Sequence, residues 1–372
     1  MGTHDEATEA YFADTSVKCI LVPRQKTDGV MANTFVSCCY THHQKTVICD
    51  AAFEEDESMR RIVAFIGGLD ITNGRYDTPE FHLFKTIKTN HVDDFYQNCV
   101  PGATEKTGPR EPWHDIHGKV EGPIALDIKR NFEERWCKQS PDSHLHLFHV
   151  NDDEFVTDAP AFTPEFDGGP WTVQLFRSIT SDSSEFQNLE KTFHLHRKGG
   201  RLVENSIQNC MIRQIRKAKN YIYMENQYFL GSAYSWLGDR ETLSHHLIPK
   251  ELTEKIIEKI ACGEPFKVYI VIPMFPEGDP SSAPIQEILF WQFRTMQTMY
   301  KRIAQAIAKH EAGTHPKDYL SFFCLGKRES LDEENQSFLD ELDEPLEPLV
   351  ETVRQTLRYY FEFLLTHQPH FG

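Results

Sequence analysis

The second half of the chain alternates between short apolar segments and longer amphipathic ones. The apolar segments are Tyr221–Met224, Phe266–Pro273 and Tyr319–Leu325. Between them lie Pro249–Ala261, with Pro at its start and Gly just past its end, and Pro284–Lys309, whose apolar residues recur at helical spacing. Strands separated by helices of this length pair in parallel in a covered sheet. The pattern therefore predicts an α/β fold.

The first half is predicted to contain short strands with long connections. Segments rich in β-branched and apolar residues are Lys18–Val22, Thr34–Tyr40, Thr46–Asp50 and Arg61–Ile66. Residues 72–123 then form a Pro-, Gly- and His-rich stretch, and loops of such length are often functional. Apolar residues at helical spacing predict helices over Ile124–Lys138, on a face with Ile124, Ile128, Phe132 and Trp136, and over Val203–Lys219.

The net charge of −17 is concentrated near the C-terminus. Residues 329–351 contain ten acidic residues and no Lys or Arg, which leaves −7 (−17 minus −10) for the rest of the chain. A mildly acidic body without a basic stripe argues against nucleic-acid binding. The 26 Phe, 13 Tyr and 5 Trp exclude a disordered chain.

The N-terminus and the cysteines predict a cytoplasmic protein. Residues 1–10 are acidic and lack an apolar run, which excludes a signal peptide, and no segment approaches the roughly 18 apolar residues of a membrane span. The nine cysteines include no C-x-x-C pair, so reduced thiols are expected.

One segment, residues 43–50, fits the pattern H-x-K-x-x-x-x-D. His43 and Lys45 lie two apart at the start of a predicted strand and project from the same face, whereas Asp50 is odd in register and points elsewhere. A lysine can neutralise a non-bridging phosphate oxygen, and a histidine can attack phosphorus or protonate a leaving oxygen. By itself, the motif fits a phosphodiesterase site or a polar strand end.

The residues around this motif resemble the plant-type members of the phospholipase D superfamily. Thr41–Lys45 is similar to that family's T-H-H-Q-K, and Arg61–Asp70 is similar to its R-I-V-x-F-x-G-G-x-D. Further similar blocks follow in the expected order: Gly74–Pro79, Pro109–His117, Val173–Ile179, Ile222–Gly231, His246–Glu251 and Phe322–Gly326. The resemblance extends over residues 18–328.

The resemblance implies a phospholipase D/nuclease-type mixed sheet covered by helices, in two similar halves with one H-x-K-x-x-x-x-D motif each. One histidine forms a phosphohistidine and the other protonates the departing alcohol. By this resemblance His43, Lys45 and Asp50 are the catalytic residues of the first motif, and His43 also contacts substrate. The expected reaction converts phosphatidylcholine-like lipids to phosphatidate and a head-group alcohol. The resemblance also implies that the protein associates peripherally with a phospholipid membrane surface.

Three further residues have candidate roles through the resemblance. Gln227 is a candidate contact to the substrate phosphate, or an amide that satisfies backbone groups at a strand end. Asp77 and Glu225 are candidates for orienting a motif histidine. Their alternatives are a turn aspartate and a buried structural glutamate.

The resemblance also implies calcium dependence, with His82 and His114 as candidate metal ligands. Calcium prefers six to eight oxygen ligands, and neither imidazole supplies one. Both histidines could instead line a substrate pocket or serve packing. Asp77 and Asp115 would be chemically better ligands.

Two features depart from the family pattern. The chain begins shortly before YFADT, so we do not expect the family's N-terminal calcium-dependent lipid-binding domain in it. The three other H-x-K sequences have Ile, Val or Phe where the motif requires Asp. We therefore expect a truncated form with a complete first half over residues 1–197, a partial second half over 198–328, and an acidic segment with a C-terminal helix over 329–372.

Two functions are compatible with this sequence. The first is a phospholipase D. The alternative is a catalytically impaired truncated isoform that binds lipid phosphate or a partner without turnover, because one motif supplies either the nucleophile or the acid. A second His43 from a symmetric dimer would restore the missing group, although residues 198–328 already occupy the partner half's place. A nuclease is disfavoured by the acidic charge and the lipase-type blocks.

The C-terminal residues predict one more element. Apolar residues recur at helical spacing at Leu346, Leu349, Val350, Val353, Leu357, Tyr360, Phe361 and Leu364. We expect this helix to dock over sheet surface left uncovered by the absent second motif, while the acidic run Glu329–Glu347 stays solvated. The alternative is a flexible tail with its apolar face exposed.

Overall fold

The computed structural model describes residues 5–22, 42–53, 57–97, 104–105, 109–140, 147, 171–186, 195–198, 200–231, 246–278 and 281–329. The chain divides into two units. The first comprises Met1–Asp70 and Asp115–Cys210, and the second comprises Ile71–His114 and Met211–Gly372. The expected domain boundaries after residues 197 and 328 stay predictions. A short helix, α1 (Asp5–Phe12), lies near the N-terminus.

The first unit contains an antiparallel sheet that includes most of the H-x-K motif. Its strands, in spatial order, are β1 (Lys45–Ala52), β2 (Arg60–Gly67) and β3 (His117–Glu121). Helix α2 (Pro123–Gln139) has Pro at its first turn, where a missing backbone N–H costs little. It packs on one face of the sheet, where Ile62, Ala64, Ala125 and Ile128 form a buried core.

The buried face of α2 differs from the predicted one. Ile128 is buried as expected, but Phe132 is 43% exposed. The buried face instead includes the polar residues Asn131 and Glu134. Both contact Arg177, with Asn131 Oδ1 accepting from Nη1 at 3.0 Å and Glu134 Oε2 lying 2.7 Å from Nη1. Apolar spacing could not identify this face because a buried ion pair determines it.

A second antiparallel sheet in the first unit corrects one helix prediction. Its strands are β4 (Ser178–Thr180), β5 (Leu195–Lys198) and β6 (Arg201–Asn205), with β6 central. Helix α3 (Ser206–Lys217) follows, so the helix predicted over Val203–Lys219 begins three residues late. Strand pairing on both edges of β6 satisfies its backbone groups and outweighs the helical spacing of its side chains.

The second unit contains the predicted parallel sheet. Its elements in chain order are β7 (Tyr221–Glu225), α4 (Ile248–Cys262), β8 (Lys267–Val271), α5 (Ala283–Lys309), α6 (Pro316–Tyr319) and β9 (Leu320–Phe323). Strand β8 pairs in parallel with both β7 and β9. Gly263 ends α4 with φ of 67°, a left-handed conformation that glycine adopts readily. The α/β prediction is confirmed.

The two faces of this parallel sheet differ. One face packs on α4 and α5 through a core that includes Leu252, Ile256, Ile270 and Ile303. Fully burying each such side chain stabilises the fold by about 1.5–3 kcal/mol. The opposite face carries exposed aromatic residues: Tyr221 is 65% exposed, Tyr223 56% and Phe323 47%. Helices therefore cover one face of the sheet within the described residues.

Other predictions have different outcomes. Lys18–Val22 has no strand structure, because it has no pairing partner in the described part of the chain. The strand predicted over Thr34–Tyr40 and the helix predicted in the C-terminal segment lie outside the described residues. Among the helices that the structure describes, none is both long and apolar enough to cross a membrane.

Candidate active site

The structure places His43 and Lys45 side by side at the beginning of β1. Lys45 is the first residue of the strand and pairs with Gly67 of β2. The Lys45 Nζ atom lies 3.3 Å from Nδ1 of His43. The His43 side chain is exposed, whereas that of Lys45 is 14% exposed. The two-residue spacing thus puts both side chains together, as predicted, while their catalytic roles stay predictions.

The residues next to His43 anchor the segment to α2. Gln44 Oε1 accepts hydrogen bonds from Asn131 Nδ2 at 3.2 Å and from Arg135 Nη1 at 3.5 Å. His42 Nε2 lies 3.2 Å from Ser183 Oγ. Burial, followed by the charge of Arg135, lowers the pKa of His42 and favours its neutral form. Successive residues of this segment therefore have different contacts. His42 and Gln44 hold the backbone against the rest of the unit, and His43 between them is exposed.

A carboxylate that the sequence analysis did not assign completes this group. Asp70 Oδ1 lies 3.3 Å from Lys45 Nζ. Asp70 follows the end of β2 by three residues, and β2 runs beside β1, so the sheet register carries it to the Lys45 end. The only sequence indication that Asp70 matters was its place in the block resembling R-I-V-x-F-x-G-G-x-D. The sequence did not indicate that Asp70 contacts Lys45.

Asp50, the third residue of the motif, has a different environment. Its carboxylate forms an ion pair with Arg60, and Arg60 Nε donates to Oδ2 at 3.1 Å. The Asp50 side chain is 58% exposed. It lies five residues along β1 from Lys45, on the alternate face of the strand. The geometry gives Asp50 a contact that links β1 and β2 rather than one to His43.

Asp77 lies in a buried ion pair in the second unit. Arg110, whose side chain is fully buried, donates from Nη1 to Oδ1 at 3.2 Å and from Nη2 to Oδ2 at 2.9 Å. The backbone N–H groups of Thr78 and Trp113 also donate to this carboxylate, at 2.8 and 3.2 Å. The four donors satisfy the hydrogen-bonding capacity of a carboxylate that is 7% exposed, and a role of Asp77 in orienting a motif histidine stays a prediction.

Glu225, at the end of β7, lies beside a histidine of its own unit. Its Oε2 is 3.5 Å from Nε2 of His114. The Tyr223 hydroxyl donates to Oε1 at 2.7 Å, and this hydrogen bond raises the pKa of Tyr223. Glu225 and His114 are 46% and 48% exposed. Glu225 is therefore half-exposed and next to an imidazole, rather than a buried structural glutamate.

Gln227 follows β7 by two residues. Its Nε2 donates to the Tyr228 hydroxyl at 3.4 Å. Burial and then the charge of Glu277 raise the pKa of Tyr228 to about 12, so this hydroxyl keeps its proton. Gln227 belongs to the second unit and His43 to the first. The predicted common cleft for these two residues stays a prediction.

His82 lies beside Glu329, which the sequence analysis placed in a solvated acidic run. The Glu329 side chain is instead 5% exposed. Its carboxylate accepts from the backbone N–H groups of Leu83 at 2.5 Å, Phe84 at 3.4 Å and Lys85 at 3.0 Å, and lies 3.6 Å from His82 Nδ1. The prediction is wrong for this residue, because three converging backbone donors stabilise a buried carboxylate.

The residues present do not form a calcium site at His82 and His114. Each imidazole lies beside one carboxylate, Glu329 or Glu225. Within the described residues, no group of three or more His, Cys, Asp or Glu side chains is arranged to hold a metal ion. Calcium also prefers oxygen ligands. Calcium dependence therefore stays a prediction, and no chemical step is assigned to the metal.

Comparison with known sequences agrees with these blocks. A sequence model of the family described as Phospholipase D matches residues 1–362. The chain is 48% identical over 344 residues to phospholipase D alpha 1 of Vigna unguiculata and 48% identical over 341 residues to that of Ricinus communis. It is 46% identical over 342 residues to phospholipase D alpha 1 of Arabidopsis thaliana. Each match covers 88% of this chain and 42% of the relative.

Proposed function

Because the chain belongs to the phospholipase D family, we propose that it provides a phosphodiesterase site for glycerophospholipids. The reaction hydrolyses phosphatidylcholine-like lipids to phosphatidate and a head-group alcohol through a phosphohistidine. The chain spans about two-fifths of the length of the curated relatives that it matches, which are named phospholipase D alpha. The substrate and the activity are therefore inferred for this chain. We also infer that its partner is a phospholipid surface, with which it associates peripherally.

The observation that supports this proposal best is the contact between Lys45 and His43. An ammonium 3.3 Å from an exposed imidazole puts a positive charge and a proton-transfer group at one place. A phosphodiester carries one negative charge on its non-bridging oxygens. Lys45 neutralises that charge, and His43 acts on the phosphorus or on the leaving oxygen.

The Lys45 contact can be compared with the ring form of His43 that each role needs. A protonated lysine can only donate, so in this contact Nδ1 of His43 accepts. Protonation of the departing alcohol requires the imidazolium, and nucleophilic attack by Nε2 requires a proton on Nδ1. Either role therefore needs the Lys45 ammonium to move from Nδ1 to the substrate phosphate.

A second function follows from the motif count. The 372 residues contain one H-x-K-x-x-x-x-D motif, whereas the reaction uses one imidazole as nucleophile and another as acid. A polypeptide limited to these residues would bind a lipid phosphate at Lys45 without turning it over. A second copy of His43 in a two-fold dimer is the alternative source of the missing imidazole.

A hydrolysis assay on the purified 372-residue polypeptide tests both functions. Choline release from phosphatidylcholine vesicles is measured for the native sequence, for His43→Ala and for the control Asp127→Asn, together with vesicle binding. Asp127 lies on α2, and its side chain is 52% exposed. Turnover that His43→Ala abolishes and Asp127→Asn preserves supports the hydrolase. Vesicle binding with background turnover supports the binding function. If the protein shows neither turnover nor vesicle binding, the assigned site is contradicted.

A further inference from the structure

Helix α3 and the residues just after it form a basic segment that the function proposed above does not use. Residues 205–224 contain four cationic residues and no acidic one, in a chain whose net charge is −17. We propose that the exposed side of α3 is a docking surface for an anionic phospholipid bilayer. The purpose of this surface rests on the proposed function, whose substrate lies in a bilayer, whereas the docking itself does not depend on turnover.

The two sides of α3 have different environments. Ile215 is 5% exposed, and Ile212 packs against the same core. On the outer side, Ile207 is 38% exposed and Met211 is 40% exposed. These two side chains lie four residues apart and therefore form one apolar stripe on the helix. Such a stripe leaves water when a helix lies at the boundary between the head groups and the acyl chains of a bilayer.

The cations of this segment also lie outside the packed face. Arg213, Lys217 and Lys219 are exposed, and none of them has a carboxylate partner in the described part of the chain. Arg216 differs, because its Nε donates to Glu251 Oε2 at 2.7 Å. Cations near a helix C-terminus also interact favourably with the helix dipole, but that effect is confined to the last turn and does not account for Arg213. The three cations therefore remain available for lipid phosphates.

The combination of charge and apolar side chains favours a bilayer over a nucleic acid. A nucleic acid would contact the cations and leave Ile207 and Met211 in water, because its phosphates dominate such binding. An interfacial helix uses both kinds of side chain. The net charge of the whole chain opposes contact with an anionic membrane, so a local group of cations has to determine which side of the molecule faces the lipid.

Methionine oxidation tests the docking surface without altering it. The assay uses His43→Ala, so that hydrolysis cannot change the lipids. Peroxide converts an accessible methionine to its sulfoxide, and mass spectrometry gives the rate at each position. Met274 is the matched control, because it is 41% exposed and lies after β8. We expect vesicles of phosphatidylcholine and phosphatidylglycerol to slow oxidation of Met211 severalfold and to leave the rate at Met274 unchanged. Vesicles of phosphatidylcholine alone should change neither rate.

Vesicle co-sedimentation in the same His43→Ala background tests the cations. Arg213→Gln together with Lys217→Gln should bind the anionic vesicles about twenty-five-fold more weakly, which is about fivefold for each cation. The matched control is Lys301→Gln together with Lys309→Gln, which removes the same charge from exposed positions on α5. This control should bind within about twofold of the parent, because its charges lie outside the docking surface.

The apolar stripe is tested separately. Ile207→Gln together with Met211→Gln should weaken binding, but the dependence of binding on salt should stay that of the parent, because ions do not screen the burial of apolar area. The cation variant should instead show a shallower dependence on salt. Thermal unfolding checks that the variants are folded. If a variant is not, the methionine rates decide the question, because they require no substitution in α3.

Three results would overturn the inference. They are equal protection of Met211 and Met274, equal loss of vesicle binding in the α3 and α5 cation variants, and no binding to anionic vesicles. None of these measurements depends on turnover. Hydrolysis of a soluble short-chain lipid without vesicle docking would remove the docking surface and leave the proposed function. Docking of the native protein without choline release would remove the hydrolysis and leave the surface.

Discussion

Two groups of charged residues from family-like blocks have opposite environments. The group of His43, Lys45 and Asp70 in the first unit includes an exposed imidazole and a carboxylate that is 44% exposed. In the second unit, Asp77 is 7% exposed and Arg110 is fully buried. The carboxylate of Asp77 accepts four hydrogen bonds from protein groups.

This difference separates charged residues that are accessible from charged residues whose buried contacts hold the fold together. A carboxylate fully occupied by buried donors has no capacity left for another partner, and breaking such a pair is costly. In the other group the Asp70 carboxylate is 44% exposed and lies beside an ammonium that also contacts the exposed His43, so this group remains accessible. Resemblance to a family block does not distinguish these cases, whereas burial and hydrogen-bond partners do.

The largest expected effect is on stability at the buried pair. Asp77→Ala leaves the guanidinium of Arg110 buried without its carboxylate, and we expect the free energy of unfolding to fall by about 3–5 kcal/mol. Urea denaturation measures this loss. A change below about 1 kcal/mol would mean that Asp77 is not the structural residue that its contacts indicate.

Gly67 lies next to the group of His43, Lys45 and Asp70, and a substitution there tests how tightly that end of the sheet is packed. Gly67→Ala places a Cβ against the backbone of Ile116, and we expect a loss of about 1–3 kcal/mol. Gly118→Ala is the matched control in the same sheet, because its nearest contact would be 3.9 Å away. Thermal unfolding should separate the two variants, and equal midpoints would contradict the tight packing at the Lys45 end of the sheet.

Glu329 provides a smaller effect with a defined pH dependence. Burial raises its pKa, but the backbone N–H groups of Leu83, Lys85 and Phe84, together with His82, outweigh burial and lower it overall. A lowered pKa gives stability that is present above the unfolded value of about 4.3 and is lost as the pH falls through the folded value. We expect Glu329→Gln to cost about 1 kcal/mol at pH 7.

The pH profile distinguishes charge from packing at this position. Denaturation curves of the native protein and Glu329→Gln should converge as the pH falls through the lowered pKa of the native carboxylate, below the unfolded value of about 4.3. A difference that persists unchanged at low pH would assign the effect to packing.

The smallest effect is expected at the exposed pair of Asp50 and Arg60. Arg60→Ala should change the free energy of unfolding by less than about 1 kcal/mol, because both side chains are largely exposed. Equilibrium denaturation in parallel with Asp77→Ala gives the contrast directly. A loss as large as that of Asp77→Ala would remove the distinction between the two environments.

Sequence patterns predicted the elements whose side chains follow one period. Helix α5 and the parallel strands β7, β8 and β9 lie within a few residues of their predicted bounds, because apolar spacing and strand–helix alternation both specify them. Residues 203–205 were assigned to the wrong element, since strand pairing within the sheet is not visible in local spacing.

Only the contact between sequence neighbours in the site could be predicted from the sequence. The two-residue spacing of His43 and Lys45 placed their side chains together, because alternation along a strand is a local property. Asp70 and Glu329 were missed as partners, since their contacts join residues 25 and 246 positions apart. The buried state of Glu329 depends on three backbone N–H groups, which carry no residue-specific signal.

The central claim is that Lys45 and His43 form a phosphate-ester site, and calorimetric titration with a short-chain phosphatidate tests it most directly. We expect the native 372-residue protein to bind the ligand and Lys45→Met to bind at least about tenfold more weakly, a loss of ~1.4 kcal/mol. Arg60→Ala, which changes a cation in the same sheet, should bind as the native protein does. Equal affinity in the native protein and Lys45→Met would contradict the account.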